Sequence, residues 1–135
     1  MLDRQGDRAG AGADVEDSTE PQVAAIFAKV REGRTPTKLE SDQFKSAMLH
    51  EWALMDHAKG WVQQFHIGAL RNNNQRLFTA LGPDQGFDSI GDANYAVPLS
   101  RFLNRLDATD QLAKTILYNL NPRDNEGLAT MIGNF

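Results

Sequence analysis

The chain has 135 residues, an apolar fraction of 41% and a formal net charge of −4, which fit one domain with a modest core. The acidic balance argues against a protein that binds nucleic acid or a membrane surface, because both roles need a basic field. The absence of cysteine excludes disulfides and thiolate metal sites. No segment is apolar enough to cross a bilayer and no signal-peptide core is present, so we expect a cytoplasmic protein.

Two helices are predicted in the first half of the chain, after a leader. Residues 1–20 are rich in Gly, Ala, Asp and Arg, which predicts a flexible segment with little to bury. Pro21 suits the first turn of a helix that ends at Gly33. A second helix is expected from about Leu39 to Lys59, and residues 21–60 together predict a helical insertion. The expected buried stripe of the second helix comprises Phe44, Met48, Trp52 and Met55.

Two histidines lie on the second predicted helix. His50 and His57 are seven residues apart, whereas metal pairs on helices favour a spacing of three or four. We therefore expect both to be ordinary surface histidines. A standalone metal-binding protein that combines them with His66 is a third interpretation, and the spacing argues against it.

A strand is predicted over residues 61–70. The stretch QFHIGALRNNN, residues 64–74, covers most of this strand and the polar loop that follows it. In an extended chain Phe65 and Ile67 share one face, which suits packing under helices, and His66 points to the other. Polar groups on a buried face are costly unless they are partnered, which is explained if this face lines a site. A half-exposed strand with a solvated histidine is the alternative, and the pattern leaves both open.

A short helix is predicted from Gln75 to Leu81, followed by a loop from Gly82 to Asp92. The loop carries aspartates at every fourth position, namely Asp84, Asp88 and Asp92. Calcium loops place oxygen ligands at alternate positions and close with a glutamate, and that pattern is absent. Turn and cap roles are therefore the expected ones.

A third long helix, a second strand and a final helix are predicted in the remaining chain. Asp92 or Asn94 can cap the third helix, with Pro98 in its first turn. Residues 115–120 read as a strand rich in residues that fit a sheet, and the acidic segment from Asp124 opens the last helix. The expected buried stripe of the third helix is Leu99, Phe102, Leu103 and Leu106.

The order strand, helix, strand, helix predicts a mostly helical α/β fold with about two parallel strands. Parallel sheets are covered on both faces, so two strands by themselves look incomplete. We therefore interpret residues 61–135 as a segment of a (β/α)8 barrel, whose site would lie at the carboxyl ends of its strands. Four side chains lie at or near such ends: His66, Arg71, Asn121 and Arg123.

Several long motifs resemble the uronate isomerase (glucuronate isomerase) family of the metal-dependent amidohydrolase superfamily. The resemblance covers roughly residues 22–135 and implies a distorted (β/α)8 barrel. The motifs, in chain order, are AAIFAKVREG, WVQQFHIGALRNNNQRLF, GPDQGFDSIGD and KTILYNLNPRDNEGLATMIGNF.

The resemblance implies interconversion of D-glucuronate with D-fructuronate and of D-galacturonate with D-tagaturonate. In such an aldose–ketose isomerisation a proton leaves C2 and returns to C1 through an enediol. The chemistry needs an acid, a base and an electrophile near the reacting oxygens. Arginine suits the substrate carboxylate or hydroxyls, because its planar fork binds two oxygens at once.

By resemblance, His66 is the barrel-strand histidine beside the metal and the substrate, and Arg71 is the substrate-contacting arginine of the following loop. Both are candidate catalytic residues, and His66 is a possible ligand of an incomplete metal site. The candidate substrate-binding residues are Arg71, Asn73 and Arg123.

Ordinary structural roles are the alternatives to these assignments. Residues 72–74 either hold the loop or fill ordinary turn positions. Arg123 with Asp124 forms either a substrate contact or an ion pair at the start of a helix. Asn119 is expected to face the barrel interior.

The resemblance implies a divalent metal, zinc or similar, held mainly by a His-x-His pair on the first strand and an aspartate on the last. Neither is found in this chain. We therefore expect an internal fragment that binds no metal and is inactive alone.

The competing interpretation is a non-catalytic helical module for dimerisation or partner binding. Self-association is expected under either interpretation, because an incomplete sheet leaves open edges.

Overall fold

A computed structural model describes residues 15–135 of the chain. Most of the predicted leader, residues 1–14, lies outside this range. Within it, the segment before the first helix contacts the second helix: the Glu16 N–H donates to Ser46 Oγ at 3.1 Å. The elements in order are α1 (Glu20–Arg31), α2 (Lys38–Lys59), β1 (Gln63–Ile67), β2 (Ala69–Leu70), α3 (Gln75–Leu81), β3 (Ser89–Ile90), α4 (Ala96–Asp107), β4 (Thr115–Asn119), a 3-10 turn (Pro122–Asp124) and α5 (Asn125–Ile132).

Helices α1 and α2 form a helical hairpin, and the N-terminus of each helix is capped. Thr37 Oγ1 accepts the Glu40 N–H at 3.2 Å, and Glu40 Oε2 accepts the Thr37 N–H at 2.6 Å. This reciprocal pair is a capping box, which satisfies two backbone donors that the helix itself cannot. Glu40 also binds Lys29 Nζ at 2.7 Å, and Phe27 stacks on Phe44 with ring centroids 6.3 Å apart. These contacts join the two helices.

The predicted parallel pair is confirmed. Strands β1 and β4 are hydrogen-bonded in parallel, with a register that runs from Gln63↔Thr115 to Ile67↔Asn119. Gln63 is buried, and its side-chain amide donates to Thr115 Oγ1 at 3.1 Å, so this polar group is partnered. Parallel pairing puts the carboxyl ends of both strands at one edge of the sheet.

The prediction of a single strand over residues 61–70 is wrong, because Gly68 interrupts the strand and separates β1 from β2. Gly68 has a φ of 91°, and a Cβ at this position would lie 3.2 Å from the backbone nitrogen of Asn121. A positive φ combined with this close approach requires glycine. Beyond Gly68, β2 turns away and pairs antiparallel with β3, which lies inside the segment predicted to be a loop.

The core lies between α2, α4 and one face of β1. The predicted stripe of α4 is confirmed, since Phe102, Leu103 and Leu106 are buried and Leu99 packs against them. Phe65 meets Phe102 edge-on, with ring centroids 5.7 Å apart. The apolar face of β1 therefore packs under a helix, as its alternation predicts.

Two details of the predicted helices are wrong. Met55 is 57% exposed, whereas Ala53 is buried and Leu49 packs on the core, so the buried face of α2 is rotated from the predicted stripe. The residue at the N-cap of α4 is Tyr95, and neither Asp92 nor Asn94 caps this helix. Among residues 15–135, no helix is both long and apolar enough to cross a membrane.

Candidate functional site

The candidate site lies at the sheet edge where β1 and β4 both end. Ile67 and Asn119 are the last paired residues of the two strands. Arg71 follows Ile67 by four positions, and Arg123 follows Asn119 by four positions. The topology therefore brings both candidate arginines to the same edge, which is the edge that carries the site in barrel enzymes.

His66 lies on the sheet face opposite Phe65, and its side chain is exposed among the described residues. Its imidazole stacks on the ring of Tyr118, its register partner on β4, with centroids 4.6 Å apart and an interplanar angle of 18°. The two faces of β1 thus differ as the alternation predicts, with one under α4 and one carrying the histidine. Within residues 15–135 the histidine face is open to solvent, so its role in a site stays a prediction.

Arg71 is held by an aspartate from the next segment of the chain. Its Nη1 lies 2.7 Å from Asp88 Oδ2, and the Asn72 N–H donates to Asp88 Oδ1 at 2.8 Å. These two contacts, the backbone bond first, hold the pKa of the Asp88 carboxyl below its usual range. Asp88 is therefore an anionic anchor for the loop, a role that the expected turn and cap functions do not describe.

The three amides after Arg71 hold the loop in place. Asn72 adopts a left-handed backbone with φ of 52°, which asparagine tolerates better than most residues. Asn73 Nδ2 donates to Ser89 Oγ at 2.7 Å, and Asn74 Oδ1 accepts the Leu77 N–H at 3.0 Å as the N-cap of α3. Both roles considered for residues 72–74 are present, since Asn73 fixes the loop to Ser89, whereas Asn72 fills a turn position and Asn74 caps a helix. Substrate binding by Asn73 stays a prediction.

Arg123 lies in the 3-10 turn after β4 and is flanked by two carboxylates. Its Nε donates to Asp124 Oδ1 at 3.1 Å, and its Nη1 contacts Asp92 Oδ1. The pKa of Arg123 is raised, chiefly by the hydrogen bond to Asp124, so the guanidinium stays charged. The ion pair at the helix start is therefore present, and a substrate contact by Arg123 stays a prediction.

Tyr95 is a residue of this region that sequence reasoning missed. It is buried, and its hydroxyl lies 2.6 Å from Asn119 Oδ1 and 2.8 Å from Asp124 Oδ2. Burial, and then the neighbouring Asp124, raises the pKa of Tyr95 to about 12, so the hydroxyl keeps its proton. A tyrosine between a polar loop and a helix start has no periodic signal, and only the fold shows that it joins β4 to the turn that follows.

The segment from Asp88 to Tyr95 crosses both strand ends. The Gly91 N–H donates to the Gly68 carbonyl at 2.7 Å, and Asn121 Nδ2 donates to the Gly91 carbonyl at 2.9 Å. A Cβ on Gly91 would lie 3.3 Å from the Gly68 oxygen, so the two backbones are close. The segment predicted to be a plain loop is therefore attached to both strands.

The described residues do not form a metal site. Among residues 15–135, no three His, Asp or Glu side chains are grouped so that they could hold a metal ion. This argues against a standalone metal site built from the three histidines. His50 is half-buried, more than the prediction of a surface histidine implies: its Nδ1 is buried without a hydrogen-bond partner among the described residues, and burial lowers its pKa.

Comparisons with known proteins agree with this fold. The family model described as glucuronate isomerase matches residues 4–135. A uronate isomerase of Cellvibrio japonicus is 66% identical over 119 residues, covering 88% of this chain and 25% of that protein. A uronate isomerase of Flavobacterium johnsoniae is 58% identical over 120 residues, covering 89% of this chain and 26% of that protein.

Solved structures of the same family are also similar. The uronate isomerase of Thermotoga maritima superposes with a TM-score of 0.83 at 32% identity, covering 93% of this chain and 27% of that one. The glucuronate isomerase of Caulobacter crescentus gives a TM-score of 0.69 at 30% identity, over 84% and 23% of the two chains. The chain spans about a quarter of the length of the relatives it matches. Sequence and structure together show that this chain belongs to the glucuronate isomerase family.

Proposed function

We propose that this chain supplies part of the active site of a uronate isomerase, which interconverts D-glucuronate with D-fructuronate and D-galacturonate with D-tagaturonate. The observation that carries the proposal is the family match over residues 4–135. The placement of two arginines at the carboxyl edge of two parallel strands supports it, since that edge is where α/β enzymes bind ligands. The substrate is an anionic sugar, and arginine recognises a carboxylate through its planar fork.

The proposed roles follow the chemistry of each side chain. His66 is the catalytic imidazole, which can hold or move a proton between neighbouring oxygens and carbons of the substrate. Arg71 binds the substrate and stabilises charge that develops during proton transfer, and Asn73 and Arg123 add substrate contacts. The alternation along β1 supports this proposal, because it places the imidazole on the face away from α4, where the ring stacks on Tyr118 at 4.6 Å.

We further propose that residues 61–135 form part of the wall of a (β/α)8 barrel. In such a wall the helices cover the outside of the parallel strands. Along each strand, side chains that point inward alternate with side chains that point outward to the helices. Phe65 under α4 and His66 on the opposite face have this alternation. The TM-score of 0.83 with the Thermotoga maritima uronate isomerase supports the same arrangement.

A divalent metal such as zinc is implied for the full-length family. At the candidate site the described residues supply one imidazole, that of His66, and residues 15–135 contain no group of three or more ligands. They do not fit a metal site by themselves, because protein zinc sites use at least three ligands. The proposed chemistry of this chain therefore rests on His66 and the arginines.

A chimera tests the proposed function. The matched 119-residue segment of the Cellvibrio japonicus uronate isomerase is replaced by the corresponding residues of this chain. The chimera is expected to convert D-glucuronate to D-fructuronate, and H66A and R71A are expected to lower kcat/KM by about a hundredfold or more. K114A, at the opposite edge of the sheet, is the control and should retain activity. An inactive chimera that folds and assembles like the parent enzyme would refute the proposal.

The 135-residue chain by itself is proposed to be inactive and to self-associate. Both strands of the β1–β4 pair have an open edge within the described residues, and open edges invite pairing with another chain. Detectable isomerisation of D-glucuronate by the purified chain would contradict the first statement. The cytoplasmic compartment expected from the sequence stays a prediction.

A further inference from the structure

The two candidate arginines are related by the register of the sheet. Ile67 and Asn119 pair as the last residues of β1 and β4, and each arginine follows its strand by the same four positions. Arg71 follows β2, which continues from β1 after the turn at Gly68, and Arg123 follows β4, so both arginines lie on connections that leave the carboxyl ends of the parallel pair. Adjacent strands lie about 4.8 Å apart, so side chains from such connections can reach one small ligand.

Two aspartates of one segment bind these two arginines. Asp88 lies 2.7 Å from Arg71 Nη1, and Asp92 contacts Arg123 Nη1. Asp88 and Asp92 are also four positions apart. The two aspartates therefore occur along the segment in the same order as the arginines that they bind occur along the chain.

The same segment is attached to the strand ends at points between and beyond the aspartates. The Gly91 N–H donates to the Gly68 carbonyl at 2.7 Å, and the Gly91 carbonyl accepts a hydrogen bond from Asn121 Nδ2 at 2.9 Å. At its end, the buried Tyr95 hydroxyl lies 2.8 Å from Asp124, which itself bonds to Arg123. The segment is therefore bonded to the backbone of Gly68 after β1, to the side chain of Asn121 after β4 and to both guanidiniums.

We propose that residues 88–95 form a positioning clasp, in which Asp88 and Asp92 set the spacing of the Arg71 and Arg123 guanidiniums so that both act on one sugar-acid substrate. The aspartates are positioning residues, since they act through the arginines. Two guanidiniums at a set spacing bind an anionic sugar without the entropy cost of ordering two long side chains at each binding event. The proposal rests on the proposed function for its substrate, while the clasp itself can be tested without activity.

The first experiment examines the purified 135-residue chain by NMR. D88N keeps an acceptor for the Asn72 N–H and removes the charge that binds Arg71. The expected result is a shifted, faster-exchanging side-chain N–H signal for Arg71, together with a smaller change at Arg123, because one segment holds both. D110N makes the same charge change where the chain enters β4 and should alter neither arginine. Unchanged signals of both arginines in D88N and in D92N would overturn the clasp.

The second experiment measures kinetics in the Cellvibrio japonicus chimera. D88N and D92N are each expected to raise KM for D-glucuronate by about tenfold, with a smaller change in kcat. Each substitution removes the charge-assisted contact that positions one arginine, so that this arginine binds the substrate less well. D88E, which restores the charge, should recover part of the affinity. D110N should leave both constants unchanged.

The double variant separates a clasp from two independent ion pairs. Since both aspartates belong to one segment, D88N/D92N should raise KM by less than the product of the two single effects. A strictly multiplicative effect, or an unchanged KM in an active chimera, would overturn the clasp and leave the proposed function standing. An inactive parent chimera would instead refute the proposed function, and the NMR result would then decide the clasp by itself.

Discussion

His66 and Tyr118 are direct neighbours across the parallel pair β1–β4, and their rings stack with centroids 4.6 Å apart. The stack lies on the sheet face that α4 does not cover. Tyr118 is 45% exposed, and Ile116 on the same face is 42% exposed. A sheet face that exposes Ile116 and Tyr118 beside open strand edges is the feature from which self-association of the 135-residue chain is expected.

Replacing Ile116 by glutamate should reduce this self-association, because a charge on the exposed face cannot be buried against a second copy without a desolvation cost. Multi-angle light scattering over a concentration series measures the effect. V97E places the same charge at a residue of α4 with similar exposure and serves as the control. A strictly monomeric parent chain that unfolds cooperatively would contradict the expectation.

Truncation of the Leu106 side chain should lower the stability of the chain far more than truncation of an exposed leucine. Leu106 is 0% exposed and lies at the centre of the cluster formed by α2 and α4. L106A should lower the free energy of unfolding by about 2–5 kcal/mol, as cavity-forming changes in cores do. Urea unfolding followed by circular dichroism measures it. L120A, at a residue that is 55% exposed, should cost far less, and equal costs would contradict the assigned core.

Removal of the Tyr95 hydroxyl should destabilise the turn after β4. Y95F keeps the ring and removes the group that lies 2.6 Å from Asn119 Oδ1 and 2.8 Å from Asp124 Oδ2. The expected loss is about 1–2 kcal/mol, the ordinary contribution of one hydrogen bond to a polar or charged acceptor. Y118F removes an exposed hydroxyl and should have little effect in the same urea titration. A Y95F chain as stable as the parent would show that water replaces the hydroxyl.

Alanine at Gly68 should destabilise the chain more than alanine at Gly33. Both glycines have a positive φ, 91° and 78° respectively, so both substitutions carry the backbone cost of about 1 kcal/mol. A Cβ at Gly68 also meets the Asn121 nitrogen at 3.2 Å, whereas nothing lies within 4 Å of a Cβ at Gly33. The difference between G68A and G33A in thermal unfolding isolates the close approach. Equal losses would mean that the strand ends shift freely.

Stability should fall in acid as Glu40 takes up its proton. The hydrogen bond from Lys29, followed by that from the Thr37 N–H, lowers the pKa of Glu40 from 4.5 to about 2. Because the folded pKa is below the unfolded one, the stabilisation is present above pH 4.5 and is lost as the pH falls towards 2. Thermal unfolding between pH 6 and pH 2 measures this loss, and E40Q should show a shallower decline. An identical acid profile for E40Q would contradict the assignment.

Local patterns predicted most of the fold from the sequence. The periodicity of α4 and the alternation of Phe65 and His66 are short-range properties, and the structure confirms them. The exact boundaries were less predictable. Gly68 interrupts the predicted strand because of a contact with Asn121, which is far away in the chain.

The sequence by itself determined the helices, the two parallel strands, the histidine on the face away from α4 and the resemblance to uronate isomerases. Only the tertiary structure decided the partners of the candidate site. Asp88 binds Arg71 across 17 positions, Asp92 binds Arg123 across 31, and Tyr95 reaches Asp124 across 29. Helical and strand periods repeat every two to four residues, so they carry no information about which distant carboxylate meets which arginine. That pairing follows from the register of β1 with β4 and from the path of the chain between them.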